Sequence, residues 1–405
     1  MFQGLSTVVL ILVLNYRKQG KRMKLNKDLA ASDHDGMEEF MKIQENLDAK
    51  LNIMIVGPAG VGKSTLINKL FGIDGAKVGV GKPVTTKISA FKKGNLTIYD
   101  TAGIEMNEEK RGNYLKECIS LINEKQKQGE DEQIHLLMYC VQPPRLQTVE
   151  EEYLASLSKC SCFGKSQLSI PVLIVNPRPY NADEDSTKKF YNEEVVPRFK
   201  KLFPFNGDYT IYEVQAIEYK QRGQTFQAFG LEALEQAMVA KVGEARRIAL
   251  VRALRESVDL KCEEAKKIAN KYIAYASTTA IGSTITGIPD SVALLGFEIA
   301  MCAHMGTIFD FALDKNRVQA IVEASIETVA VATLASFAGH WLMTIATAGG
   351  SLVIEAVGRT AIAAATVKSL SVSFIGIMRK YALGELDDEQ ATMLLVDKLR
   401  KAHSK

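Results

Sequence analysis

Between Leu51 and Thr65 the chain reads L-N-I-M-I-V-G-P-A-G-V-G-K-S-T. An apolar run, Ile53 to Val56, enters a Gly-rich turn carrying Lys63, Ser64 and Thr65, and the apolar helix pattern Leu66, Ile67, Leu70, Phe71 follows. Strand, G-x-x-x-x-G-K-S, helix is the order a phosphate-binding loop requires. Gly57, Gly60 and Gly62 permit a backbone approach that a Cβ would block. The amides of Gly57, Pro58 (which has no N–H), Ala59, Gly60, Val61, Gly62, Lys63, Ser64 and Thr65 are therefore predicted to line a polyphosphate, with the helix N-terminus facing it. Lys63 is placed to reach the β/γ oxygens, and Ser64 to bind Mg2+.

A chain of 405 residues has room for two or three domains. The net charge of +3 supplies no bulk argument for a nucleic-acid partner. Six cysteines are scattered, and the pair Cys160-x-Cys162 has neither a second pair nor a nearby His, so a zinc site is not expected. Unpaired thiols beside a phosphate loop suit a reducing, cytoplasmic setting.

From Leu51 onward strands and helices alternate. Predicted strands are Asn52–Val56, Lys87–Phe91, Leu96–Tyr99, Ile134–Val141, Pro171–Val175 and Thr210–Val214; predicted helices are Lys63–Phe71, Glu108–Lys125, Thr148–Lys159 and Asp185–Leu202. That pattern is an α/β fold, a mostly parallel sheet covered on both faces, with ligand at the carboxyl ends of its strands. From about Leu231 the strand signals stop, and an all-α domain is expected. It starts as one long helical stretch from Leu231 to about Ala276. Then come a small-residue segment Ala274–Gly287, an Ile288-Pro289-Asp290 breaker, a helix Ser291–Leu313, an uncharged run Val329–Ile354, and helices at about Leu352–Tyr381 and Asp387–Ala402. Expected domains are therefore 1–50, 51–230 and 231–405. Within the first, residues 5–14 are apolar and a basic cluster follows, then a lead-in helix over 33–50. The apolar run reads as a membrane-touching anchor, as a buried strand, or as leader sequence upstream of a start at Met23.

Beyond the loop, Asp100-Thr101-Ala102-Gly103 follows the strand L-T-I-Y. A carboxylate there can hold Mg2+ directly or through water, and the Gly103 amide can meet a γ-phosphate. Between the two motifs lies V-G-V-G-K-P-V-T-T, Val78–Thr86, whose threonines suit Mg2+ binding when a γ-phosphate is present. Thr86 is preferred over Thr85. Lys63 and Thr86 are the candidate catalytic residues, and Ser64, Thr86 and Asp100 the candidate metal ligands.

G-P-A-G-V-G-K-S-T, the Gly-rich T-T segment and D-T-A-G resemble the G1, G2 and G3 motifs of the Era-like (translation-factor-related) GTPases, over about Leu51 to Gly230. The helical tail is similar to a domain of unknown function that follows such G domains in bacterial and protist proteins; a related tail occurs in a bacterial inner-membrane protein. The resemblance implies GTP/GDP with Mg2+. It puts Asn176 at the Asn of N/T-K-x-D, but here the motif reads Asn176-Pro177-Arg178-Pro179, without its Lys or its Asp, and Asp183 is out of register. S-A-K is matched only at Ala216 of Gln215-Ala216-Ile217. Guanine selectivity is thus implied by the resemblance alone.

Ile104 stands where Ras-like proteins carry a water-orienting Gln, and Gly60 where potassium-dependent members carry Asn. Glu105 and Glu108 read as helix-start acids. Slow intrinsic hydrolysis is expected, assisted by an activating protein or a homodimer. The tail reads either as a bundle sensing nucleotide state or as a part that enters a bilayer. Val329–Ile354 is long enough to span, while Asp290, Glu298, Asp310 and Glu327 interrupt its flanks. The overall expectation is a GTPase switch coupled to a membrane surface, a bilayer or a protein partner. The alternative is a nucleotide-gated, membrane-remodelling (dynamin-like) protein with little turnover. A small-molecule kinase would not need Thr85 and Thr86.

Overall fold

The computed structural model describes residues 49–73, 88–101, 108–144, 146–160, 162–163, 170–179, 183–221, 224–286, 298, 301–311 and 352–403. They fall into two compact units, one running to Ser257 and the other starting at Val258.

The first unit is a six-stranded sheet. Its strands are β1 (Leu51–Val56), β2 (Ser89–Lys93), β3 (Leu96–Asp100), β4 (Leu136–Cys140), β5 (Val172–Asn176) and β6 (Ile211–Glu213). The order is β2-β3-β1-β4-β5-β6. Only β2 is antiparallel to its neighbour. Every residue of β1, β4 and β5 is buried, which explains why these strands are apolar without alternation. β2 lies at the edge, where alternate side chains reach solvent and Lys92 and Lys93 are tolerated.

Each predicted strand is found within two residues of its expected ends. The helices α1 (Lys63–Phe71), α2 (Glu108–Lys127) and α3 (Thr148–Leu157) also match. On one face of the sheet, Met54, Tyr139 and Ile174 meet Phe190, Phe199 and Phe203 in one cluster. Tyr139 packs edge-on to Phe199 at 5.4 Å between ring centroids.

The predicted helix Asp185–Leu202 is three pieces. α4 (Glu184–Lys189) passes into a π-turn at Phe190–Val195 and then into α5 (Val196–Leu202). Pro197 sits in the first turn of α5. It cannot donate to the carbonyl four residues back, and its ring crowds that carbonyl, so the helix loosens there. Val196 N–H bonds Tyr191 O, a five-residue step.

The long helix expected from Leu231 is also interrupted. α6 (Leu231–Lys241) ends at Val242-Gly243, where both residues are extended, and α7 (Glu244–Ala253) ends at an extended Leu254. α6 and α7 belong to the sheet unit, so the division falls after Ser257 instead of at Gly230. Hydrogen bonds hold this segment against α1 and β2. Arg255 N donates to Leu70 O at 2.8 Å. Lys93 Nζ donates to both Phe71 O and Ala253 O at 2.9 Å. A hairpin of β7 (Tyr219–Gln221) and β8 (Gln224–Phe226), which the sequence reading missed, precedes them.

The second unit contains α8 (Val258–Thr286), α9 (Leu352–Ala382), α10 (Asp388–His403) and a helical turn sequence at 301–308. Ile268, Tyr272, Met305, Leu370, Phe374 and Leu395 are buried in it. Tyr272 Oη and His304 Nδ1 are 2.5 Å apart within this core. Among the described residues no helix is long and apolar enough to cross a membrane. The run Val329–Ile354 lies outside them except for its last three positions, as do residues 1–48, with the apolar run and most of the predicted lead-in helix.

Candidate functional site: a phosphate cradle at the carboxyl ends of the strands

β1 delivers the loop and α1 receives it. Gly57, Gly60 and Gly62 have φ of 147°, 74° and 112°, the left-handed region that favours glycine. The need is sharpest at Gly57, where an added Cβ would lie 2.4 Å from Cys140 O on neighbouring β4. Val61 and Pro58 are buried and anchor the loop, while Gly60 is exposed at its crest. Ala59, Ser64 and Thr65 are half-buried.

Gly62 caps α1 without a side-chain hydrogen bond, and the first turn holds no acid. The amides at the start of α1 are thus left to an external acceptor, and the helix dipole favours an anion there. Lys63 is 6% exposed and donates to Gly57 O and Pro58 O, both at 2.9 Å. Burial lowers its pKa, while Cys140 and Asp100 push it back up. The ammonium is therefore pinned inside the loop, close to where phosphate oxygens would lie.

Asp100 ends β3 and is 1% exposed. Ser64 Oγ donates to its Oδ2 at 2.8 Å. Burial raises the Asp100 pKa, opposed by the Ser64 hydrogen bond and the Lys63 charge. Its Oδ1 is buried with no partner among the described residues. A hydroxyl and a carboxylate with one orphaned, buried oxygen form a donor set suited to a hard divalent cation such as Mg2+. Thr101, next along, donates to Ile55 O at 2.7 Å and ties β3 to β1. Thr85, Thr86 and Gly103 lie outside the described residues.

The other flank is built by β5 and β6. Asn176 is fully buried and used internally. Its Oδ1 accepts from Arg178 N at 3.0 Å, and its Nδ2 donates to Tyr191 Oη at 2.7 Å. Tyr191 in turn donates to Glu213 Oε1 at 2.7 Å. Burial, with Glu213 beside it, raises the Tyr191 pKa. Sequence reasoning placed Asn176 at the site but missed Tyr191 and Glu213, which no local signal marks. A Cβ on Gly62 would sit 3.6 Å from Pro177 Cβ and 3.8 Å from Arg178 Nε, so this loop adjoins the phosphate loop. Asp183 is the N-cap of α4 and accepts from Ser186 N at 2.8 Å.

Residues 52–175 match the model of a family described as 50S ribosome-binding GTPase. This part of the chain has the fold of a P-loop G domain. No curated protein matches the chain. Among solved structures, a septin GTPase domain from Chlamydomonas reinhardtii is 18% identical, covering 50% of this chain and 91% of its own, with a TM-score of 0.33. Toc33 from Arabidopsis thaliana, in complex with Mg2+ and GMPPNP, is 17% identical over 45% and 78%, with a TM-score of 0.30. A probable GTP-binding protein engB is 17% identical over 48% and 98%, also with a TM-score of 0.30. Likeness at this level says nothing of this chain's activity.

Proposed function

We propose that this protein is a guanine-nucleotide switch that binds GTP and GDP with Mg2+ and hydrolyses GTP slowly. Its helical unit passes nucleotide state to a membrane surface or a protein partner. The observation that carries the reading is the pairing of a pinned, buried Lys63 with the Ser64–Asp100 contact across one glycine loop. In this reading Lys63 neutralises β/γ-phosphate charge, Ser64 and Asp100 hold Mg2+, Thr86 completes the metal shell, and the Gly103 amide senses the γ-phosphate. Ile104 cannot orient water, so intrinsic turnover stays on the order of 10⁻³–10⁻² per second or below. Era-like ancestry, a homodimer or activating protein, and a cytoplasmic G domain at a membrane belong to the same proposal.

Titration of the full-length protein with labelled GTP, GDP and ATP, before and after Lys63→Ala, tests it. The substitution removes charge-assisted hydrogen bonds and is expected to weaken triphosphate binding by roughly 10- to 100-fold. Equal affinity in wild type and variant, or no nucleotide binding by folded wild type, would overturn the reading.

A further inference from the structure

In the nucleotide-switch reading the metal side is at β3, where Ser64 meets Asp100, and the loop after β5, which adjoins Gly62, takes the other end of the nucleotide. Three carboxylates near that flank are already engaged. Asp183 accepts from the Ser186 amide and hydroxyl, at 2.8 and 2.7 Å. Glu213 holds Tyr191. Glu218 pairs with Lys220 at 3.4 Å. Asn176 is enclosed, and Pro177 and Pro179 are buried and carry no donor. Arg178 is exposed, with its Nε beside Gly62 and its backbone N–H fixed to Asn176.

We propose that the base is read by the Arg178 guanidinium, and not by Asp183, Glu213 or Glu218. This rests on the nucleotide-switch reading and names its substrate class: 6-oxopurine nucleoside triphosphates as a group. A guanidinium offers only donors. It matches the O6 and N7 acceptors that guanine and hypoxanthine share, and it can stack on the ring face. Adenine presents an amino donor at position 6, which opposes it. The 2-amino group that separates guanine from hypoxanthine finds Asp183, Glu213 and Glu218 already engaged, so the two bases should bind alike. Tyr191, through Asn176, is a positioning residue that holds the Arg178 backbone beside the cradle.

The test measures affinities of the full chain for GTP, ITP, ATP and inorganic tripolyphosphate, by calorimetry in the presence of magnesium. Expected are GTP and ITP within about threefold of each other, and ATP weaker by about tenfold or more, the scale of one two-pronged donor contact. Arg178→Ala should lose about tenfold for GTP and ITP and leave tripolyphosphate unchanged. Arg178→Lys should recover little, because an ammonium lacks the planar fork. Tyr191→Phe should weaken GTP relative to tripolyphosphate in the same sense, without the uniform loss a purely structural role would cause. GTP bound far more tightly than ITP, or Arg178→Ala binding GTP like wild type, overturns this inference and leaves the phosphate site standing. Failure of the wild type to bind even tripolyphosphate overturns both.

Discussion

Ser64 Oγ and Asp100 Oδ2 lie 2.8 Å apart, joining the first turn of α1 to the last residue of β3 across a gap of 36 residues in sequence. The second oxygen of the same carboxylate is buried and unpartnered among the described residues. Leaving a buried carboxylate oxygen unsatisfied is costly, and a cation would relieve that cost.

Magnesium dependence follows from this pair. Chelation with EDTA should weaken GTP binding to the wild type by about tenfold or more, the range of a lost charge-assisted contact. In Asp100→Asn the magnesium effect should shrink to about threefold or less. A variant as magnesium-responsive as the wild type would remove Asp100 from the metal site.

Two glycines of one loop should respond differently to alanine. At Gly57 the new Cβ would meet Cys140 O at 2.4 Å with φ at 147°, and backbone cannot step aside. A loss of about 3 kcal/mol or more is expected, or no soluble protein. At Gly60, φ is 74° and nothing lies within 4 Å. There alanine should cost only about 1–2 kcal/mol, the intrinsic left-handed penalty. Thermal melts of the two variants side by side read the contrast.

Glu150 sets a pH dependence. It is 3% exposed; Gln147 N donates to its Oε2 at 3.0 Å, and its Oε1 has no partner among the described residues. Burial pushes its pKa from 4.5 up to about 7, against the Gln147 hydrogen bond and with help from the nearby Glu194. The folded state therefore prefers the protonated acid. Its stabilising contribution is complete below about pH 4.5 and is lost as pH rises through 7. Glu150→Gln keeps the acceptor and removes the ionisation. It should raise the unfolding free energy by up to about 3 kcal/mol at pH 8 and change little at pH 4. Urea melts at the two pH values decide this; a pH-independent effect would contradict it.

Lys93 bonds the C-terminal carbonyls of α1 and α7 together, Phe71 O and Ala253 O. Lys93→Met keeps the length of the stem and loses both hydrogen bonds and a cation at two helix C-termini. A destabilisation of about 1–3 kcal/mol is expected in denaturant unfolding. If the site carries no such weight, the unfolding midpoint will not move.

Much of this molecule was local in origin. Glycines before Lys63, continuous apolar runs for strands buried on both faces, and helix-spaced Leu66, Ile67 and Leu70 each act within a few residues, so the α/β order and the phosphate loop could be read directly from the sequence. Asp100 was placed at the end of a strand the same way. Other features depend on partners far along the chain. Leu70 O accepts from Arg255 N and Lys93 reaches Ala253 O, contacts that tie the segment before Val258 to the first unit. Tyr191 and Glu213 decide where Asn176 points, and Gly62 decides what Arg178 lies against. Hydrogen bonding and steric fit between such distant positions exist only once the sheet has brought the carboxyl ends of its strands together, which is why tertiary structure alone assigned them.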